Sequence, residues 1–199
     1  MIVIGLTGSI AMGKSETAKI FASRGIPVFD SDAAVHALYA KGGRAVESIR
    51  RLAPSAIEDG GVSRERLATL IRAEPGLLKK IEAAVHPFVR SEQQHFLEKA
   101  RQSGASMAVL DVPLLFETRR DGDVDVVVVV SAAPDVQRQR ALARPGMTAD
   151  KLEFILGRQV ADEEKRARAH YVIDTSVSLE ETAAAVDRVI AELKKRTQE

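Results

Sequence analysis

The stretch Gly8-Ser9-Ile10-Ala11-Met12-Gly13-Lys14-Ser15 has the spacing G-x-x-x-x-G-K-[S/T]. Each residue type answers a need of phosphate chemistry. A glycine-rich loop between a strand and a helix turns successive backbone N–H groups inward. The helix N-terminus adds partial positive charge, so an anionic phosphate is held. Gly13 lets the backbone approach, Lys14 neutralises the terminal phosphates, and the Ser15 hydroxyl suits a magnesium ion. The pattern also arises by chance in turns. Here it follows an apolar run, Ile2–Leu6, and precedes a helical pattern, Lys14–Ser23, which is the context the chemistry needs. A nucleoside triphosphate with Mg²⁺ is therefore expected.

Three further groups of residues bear on the reaction. Asp30-Ser31-Asp32 closes a short apolar run, Pro27–Asp30, at the end of a parallel strand where ligand crevices form. Asp32 can orient or deprotonate an attacking hydroxyl, or simply cap the helix that begins there; spacing alone leaves both open. Asp111 ends the run Met107–Val112 and is placed to share a metal's water shell, or to be an ordinary strand-end residue. Gln137, Arg140 and Arg144 fall at i, i+3 and i+7 on one helix face, with Arg138 beside them and Arg158 on the next helix. A basic helix, a Pro-Gly turn and a second helix read as a lid that excludes water from a transferring phosphoryl group. A solvated basic face is the competing reading. His86-Pro87 reads as a helix end, and no histidine pair has metal-ligand spacing.

Composition narrows the class. The 199 residues suggest one unit with a small insertion at about 150 residues per domain. Lys plus Arg is 29 and Asp plus Glu is 28, giving a formal net charge of +1, which argues against a nucleic-acid binder. With no cysteine, disulfides and thiolate chemistry are out. With no asparagine, so are the guanine-reading Asn-Lys-x-Asp motif and a protein-kinase catalytic loop. The longest apolar run, Val126–Val130, is too short to span a bilayer, so a cytoplasmic protein without membrane partners is expected. A small-molecule kinase, a nucleoside monophosphate kinase and an ATPase module driving a partner remain.

These motifs sit on a recognisable alternation. Strands are expected at Ile2–Leu6, Pro27–Asp30, Met107–Val112, Asp125–Ser131 and Tyr171–Asp174. Helices intervene, and Ser178–Glu181 forms a capping box that opens the last one, with Leu179, Ala183, Val186, Ile190 and Leu193 facing inward. Strand–helix alternation of this kind makes a parallel α/β sheet. From Ser31 to about Ser103 the spacing is helical, broken at Gly42-Gly43, Pro54, Gly60-Gly61 and Pro75-Gly76, which reads as a helical insertion.

The ordered set resembles the dephospho-CoA kinase family. It comprises Ile4–Gly8 leading into Gly13-Lys14-Ser15, then Asp30-Ser31-Asp32, His86-Pro87, Asp111–Glu117, Gln137/Arg140/Arg144, Arg158-Gln159 and Tyr171–Asp174. The resemblance implies an α/β P-loop fold of the nucleoside-monophosphate-kinase type: a five-stranded parallel sheet flanked by helices, with a helical insertion and a lid. It assigns 1–32, 104–134 and 170–199 to the ATP-binding core, 33–103 to the acceptor domain and 135–169 to the lid. The implied reaction is ATP-dependent phosphorylation of the ribose 3′-hydroxyl of dephospho-CoA, by a monomer. Ala11, Met12, Gly13, Lys14, Ser15, Glu16 and Arg144 would bind ATP. Asp32, Lys14 and Arg140 would be catalytic, and Asp32, His86 and Leu114 would face the acceptor. Ser15 and Asp111 would serve Mg²⁺. The chain departs from the family's usual residues at Ser9 and Ala11, where glycines are common and side chains narrow the loop, and at His170 and Thr175.

Overall fold

A computed structural model describes residues 1–196. Five strands form one parallel sheet: β1 (Ile2–Thr7), β2 (Val28–Asp30), β5 (Met107–Asp111), β6 (Val126–Ser131) and β7 (Tyr171–Asp174), in the order β2-β5-β1-β6-β7. β1 is central, pairing Leu6 with Asp111 on one side and with Val128 on the other. All six residues of β6 are buried, as a valine run demands when both sheet faces are covered. Helices α1 (Lys14–Ser23) and α9 (Leu179–Arg196) pack on the sheet, with Phe21, Val186 and Leu193 wholly buried. The last three residues of the expected core segment 170–199 lie outside the described residues.

The chain divides into two compact units. One holds residues 1–29 and the chain from Ala100 onward; the other is Asp30–Lys99. Residues 30–99 carry α2 (Ser31–Tyr39), α3 (Val46–Leu52), α4 (Arg64–Ala73) and most of α5 (Leu77–Gln102). They have a core of their own around Leu38, Ile49, Leu67, Leu77, Ile81, Val85 and Val89. No helix among the described residues is long and apolar enough to cross a membrane.

Several local expectations need correction. Gly60 is part of a turn rather than a mere break. Asp59 and Gly60 both have positive φ, 48° and 81°, and join the two-stranded ribbon β3 (Ile57–Glu58) and β4 (Gly61–Val62). Asp-Gly with both φ positive is the turn that matches strand twist. Pro87 does not end a helix but sits inside α5. Its missing N–H strands a carbonyl one turn back, yet Pro87 and Ala83 are both exposed, so water can reach that oxygen, while Ile81, Val85 and Val89 bury the opposite face. Helix α8 (Asp162–Arg168) was not foreseen because it has no apolar stripe; its buried residue is Lys165. Leu179 is 60% exposed, and Thr182 takes the inward position, returning its hydroxyl to the Ser178 carbonyl at 3.0 Å.

The capping box is present as expected. Glu181 accepts from the Ser178 hydroxyl (2.8 Å) and backbone N–H (3.0 Å), and its own N–H donates back to Ser178 Oγ at 3.2 Å. The Ser178 hydroxyl, then its N–H, holds the Glu181 carboxyl below its ordinary value. A depressed carboxyl pKa contributes stability above the unfolded value and loses it as pH falls through the folded one. Ser178→Ala should therefore move the Glu181 titration upward in an NMR series. It should also lower Tm at pH 7 by about 2–4 °C, with a smaller deficit in acid. An unmoved Glu181 titration would contradict the assignment.

Candidate active site

The phosphate loop leaves the central strand and enters α1. Gly8 is fixed by crowding: a Cβ there would strike Val130, with the Val130 carbonyl oxygen only 2.7 Å away. Gly8→Ala should cost about 1–3 kcal/mol, read as a lower urea midpoint. Ala11 is left-handed at φ 62°, a conformation that costs a residue with a Cβ about 1–2 kcal/mol. Ala11 packs against Ala141 and Leu152, so burial offsets part of that cost. Gly13, at φ 84°, is the N-cap of α1 and supplies no side-chain cap. The first N–H groups of α1 are thus left for an incoming anion.

Lys14 and Asp111 form an ion pair, with side chains 16% and 7% exposed. The register that pairs Leu6 with Asp111 delivers the carboxylate to the end of β5 beside the loop. Ser15 and Glu16 are exposed in the first turn of α1. Together, the Ser15 hydroxyl and Asp111 carboxylate are hard oxygen donors of the kind Mg²⁺ prefers.

Arg140, on α6 (Pro134–Leu142), reaches Thr175 beside the loop. Its guanidinium donates to Thr175 Oγ1 at 3.2 Å and to the Thr175 carbonyl at 2.7 Å. Thr175 Oγ1 in turn donates to the Met12 carbonyl at 2.9 Å and lies 2.9 Å from where a Gly13 Cβ would stand. Thr175 therefore serves as the bracket between Arg140 and the loop. His170, the other departure, accepts the Val127 N–H at Nδ1 (3.0 Å), extending the β6–β7 edge.

The remaining candidates fall elsewhere. Arg144 is exposed beyond the end of α6. Arg138 bonds to Glu153 at 2.8 Å, tying α6 to α7 (Ala149–Leu156), and Arg158 lies 4.1 Å over the Phe154 ring. These two arginines are thus engaged within the α6–α7 region. Leu114 is 42% exposed in the loop after β5. Asp32 and His86 belong to the Asp30–Lys99 unit, exposed on α2 and α5 respectively. The cap of α2 is Asp30, whose carboxylate accepts the Ala33 N–H at 2.9 Å, and not Asp32. The structure thus brings Ala11, Met12, Gly13, Lys14, Asp111 and Arg140 into one constellation.

A parallel sheet whose central strand feeds a G-x-x-x-x-G-K-S loop, with a lysine–aspartate pair and an arginine-bearing helix behind it, defines a P-loop nucleotide-phosphate-binding protein. The dephospho-CoA kinase family model matches residues 2–181, so the chain belongs to that family. A dephospho-CoA kinase of Mesorhizobium japonicum is 53% identical over 194 residues, 98% of each chain. The crystal structure of a Thermus thermophilus protein superposes with a TM-score of 0.81 at 37% identity, covering 96% of this chain and 97% of that one. A dephospho-CoA kinase structure from Campylobacter jejuni shares the fold, with a TM-score of 0.72 at 20% identity over 98% of both chains.

Proposed function

We infer that this protein transfers the γ-phosphoryl group of ATP to the ribose 3′-hydroxyl of dephospho-CoA, giving CoA and ADP. The observation that carries the reading is the Lys14–Asp111 pair beside an uncapped helix N-terminus, in a chain of this family. In this reading Ala11–Glu16 and Arg144 hold ATP, with Lys14 neutralising the terminal phosphates. Arg140 stabilises the moving phosphoryl group. Asp32 orients the acceptor hydroxyl and takes its proton as the oxygen–phosphorus bond forms and the bond to the ADP oxygen breaks. His86 and Leu114 face the acceptor. Bound Mg²⁺ would supply charge neutralisation across the β- and γ-phosphates, with Ser15 and Asp111 as its protein oxygens. The expectation of a cytoplasmic monomer belongs to the same proposal.

The decisive experiment is mass detection of CoA after incubation with dephospho-CoA, ATP and Mg²⁺, with AMP and CMP as rival acceptors. A mass gain of one phosphoryl group on dephospho-CoA alone supports the reading. Phosphorylation of AMP or CMP instead, or ATP hydrolysis without any phosphorylated acceptor, overturns it.

A further inference from the structure

Ile10, in the phosphate loop, is gripped at both its backbone polar atoms, on two successive peptide groups, by side chains from the α6–α8 region. Its N–H donates to Gln159 Oε1 at 3.1 Å, and its carbonyl accepts from Gln137 Nε2 at 2.9 Å. Backbone polarity fixes which end of each amide faces the loop. Ile10 precedes the left-handed Ala11. The Ile10 carbonyl shares a peptide plane with the Ala11 N–H, so the Gln137 bond sets the direction of that N–H, while the Gln159 bond fixes the Ser9–Ile10 plane before it. Gln137 is buried, so its amide is pinned by packing as well as by the bond. The Gln159 end is anchored separately. Glu117 Oε1 accepts the N–H of Val160, the next residue, at 2.9 Å, and lies 2.8 Å from Nζ of the wholly buried Lys165. Glu117 closes the Asp111–Glu117 motif, Gln159 follows Arg158 and Gln137 shares the Arg140 face; none of the three has a role in the phosphoryl transfer described above.

We propose that Gln137 and Gln159 are positioning residues that orient the two peptide groups flanking Ile10 in the phosphate loop for ATP, with Glu117 and Lys165 fixing the segment that carries Gln159. None of them touches the nucleotide in this scheme. They act through the loop backbone, and they link the lid region to it: a shift of the Val160 segment turns the Ser9–Ile10 peptide.

The two glutamines play opposite hydrogen-bonding parts, which gives an asymmetric test. Gln159 is an acceptor, so Gln159→Glu keeps the bond to the Ile10 N–H and Gln159→Met abolishes it. Gln137 is a donor, so Gln137→Glu sets a carboxylate against a carbonyl. Packing volume and added charge are alike in the two glutamate variants. ATP·Mg²⁺ binding by titration calorimetry on the full-length protein is the readout, with Tm recorded in parallel.

Gln137→Glu and Gln159→Met should each weaken ATP about tenfold, the loss expected for one backbone bond. Gln159→Glu should bind ATP several-fold more tightly than Gln137→Glu. Glu117→Gln, which keeps an acceptor for the Val160 N–H but removes the charge facing Lys165, should give an intermediate loss. Equal affinities for the two glutamate variants, or a drop in Tm with unchanged ATP affinity, would overturn the proposal. The inference rests on the ATP-site reading above, but the two fail separately. A wild-type protein that binds ATP without making CoA removes the acceptor assignment and leaves this test intact. A wild-type protein that does not bind ATP overturns both.

Discussion

Lys14→Ala should reduce the rate of CoA formation by about a hundredfold or more, the loss seen when one preorganised group facing developing charge is removed. In the proposed reaction the lysine meets the phosphates through a charge that an alanine cannot replace. The substitution has a second consequence. Asp111, its side chain 7% exposed, loses its lysine, and a buried carboxylate deprived of its counter-charge is destabilising. Lys14→Ala should therefore lower the urea midpoint as well as the rate. Coupling it with Asp111→Asn separates the effects. The double variant should recover most of the stability, because the buried charge that faced the lysine is gone, and recover none of the rate. Near-native turnover in either variant would remove Lys14 from the role.

Much of this site was legible in the sequence because its parts are local. The phosphate loop is eight consecutive residues between a β-branched run and a helical pattern, and α1 begins and ends where that pattern does. The valines of β6 demanded cover on both faces and are buried on both. What periodicity missed were pairings of residues distant in the chain. Thr175 stood out only as a departure from a family habit. Its bracket between Met12 and Arg140 depends on the β6–β7 register. Gln137 and Gln159 grip Ile10 from more than a hundred residues away, and nothing in local spacing links them. The Asp59-Gly60 turn, by contrast, carried a short-range signal that reading Gly60-Gly61 as a plain break overlooked. Pro87 misled for another reason: its cost is local, whereas the packing of Ile81, Val85 and Val89 that continues the helix is tertiary.

Asp32→Asn should lower kcat by about 10²–10⁴-fold, the range for removing a positioned acid–base group, while changing ATP affinity by less than about twofold. The sequence left two uses for this carboxylate, capping or chemistry, and the structure assigns the cap to its neighbour. Asp30 accepts the Ala33 N–H, so Asp32, exposed in the first turn of α2, has no capping duty to explain it. The two aspartates should then fail in opposite ways. Asp30→Ala removes the cap and should lower Tm by about 2–4 °C. Asp30→Asn should not, since asparagine caps as well as aspartate does. Asp32→Asn keeps shape and polarity and should leave Tm in place while turnover collapses. Steady-state rates with saturating dephospho-CoA, ATP titration by calorimetry and thermal denaturation of the three variants decide the matter. A near-normal kcat for Asp32→Asn would sink its role at the acceptor hydroxyl, whatever the Asp30 variants do.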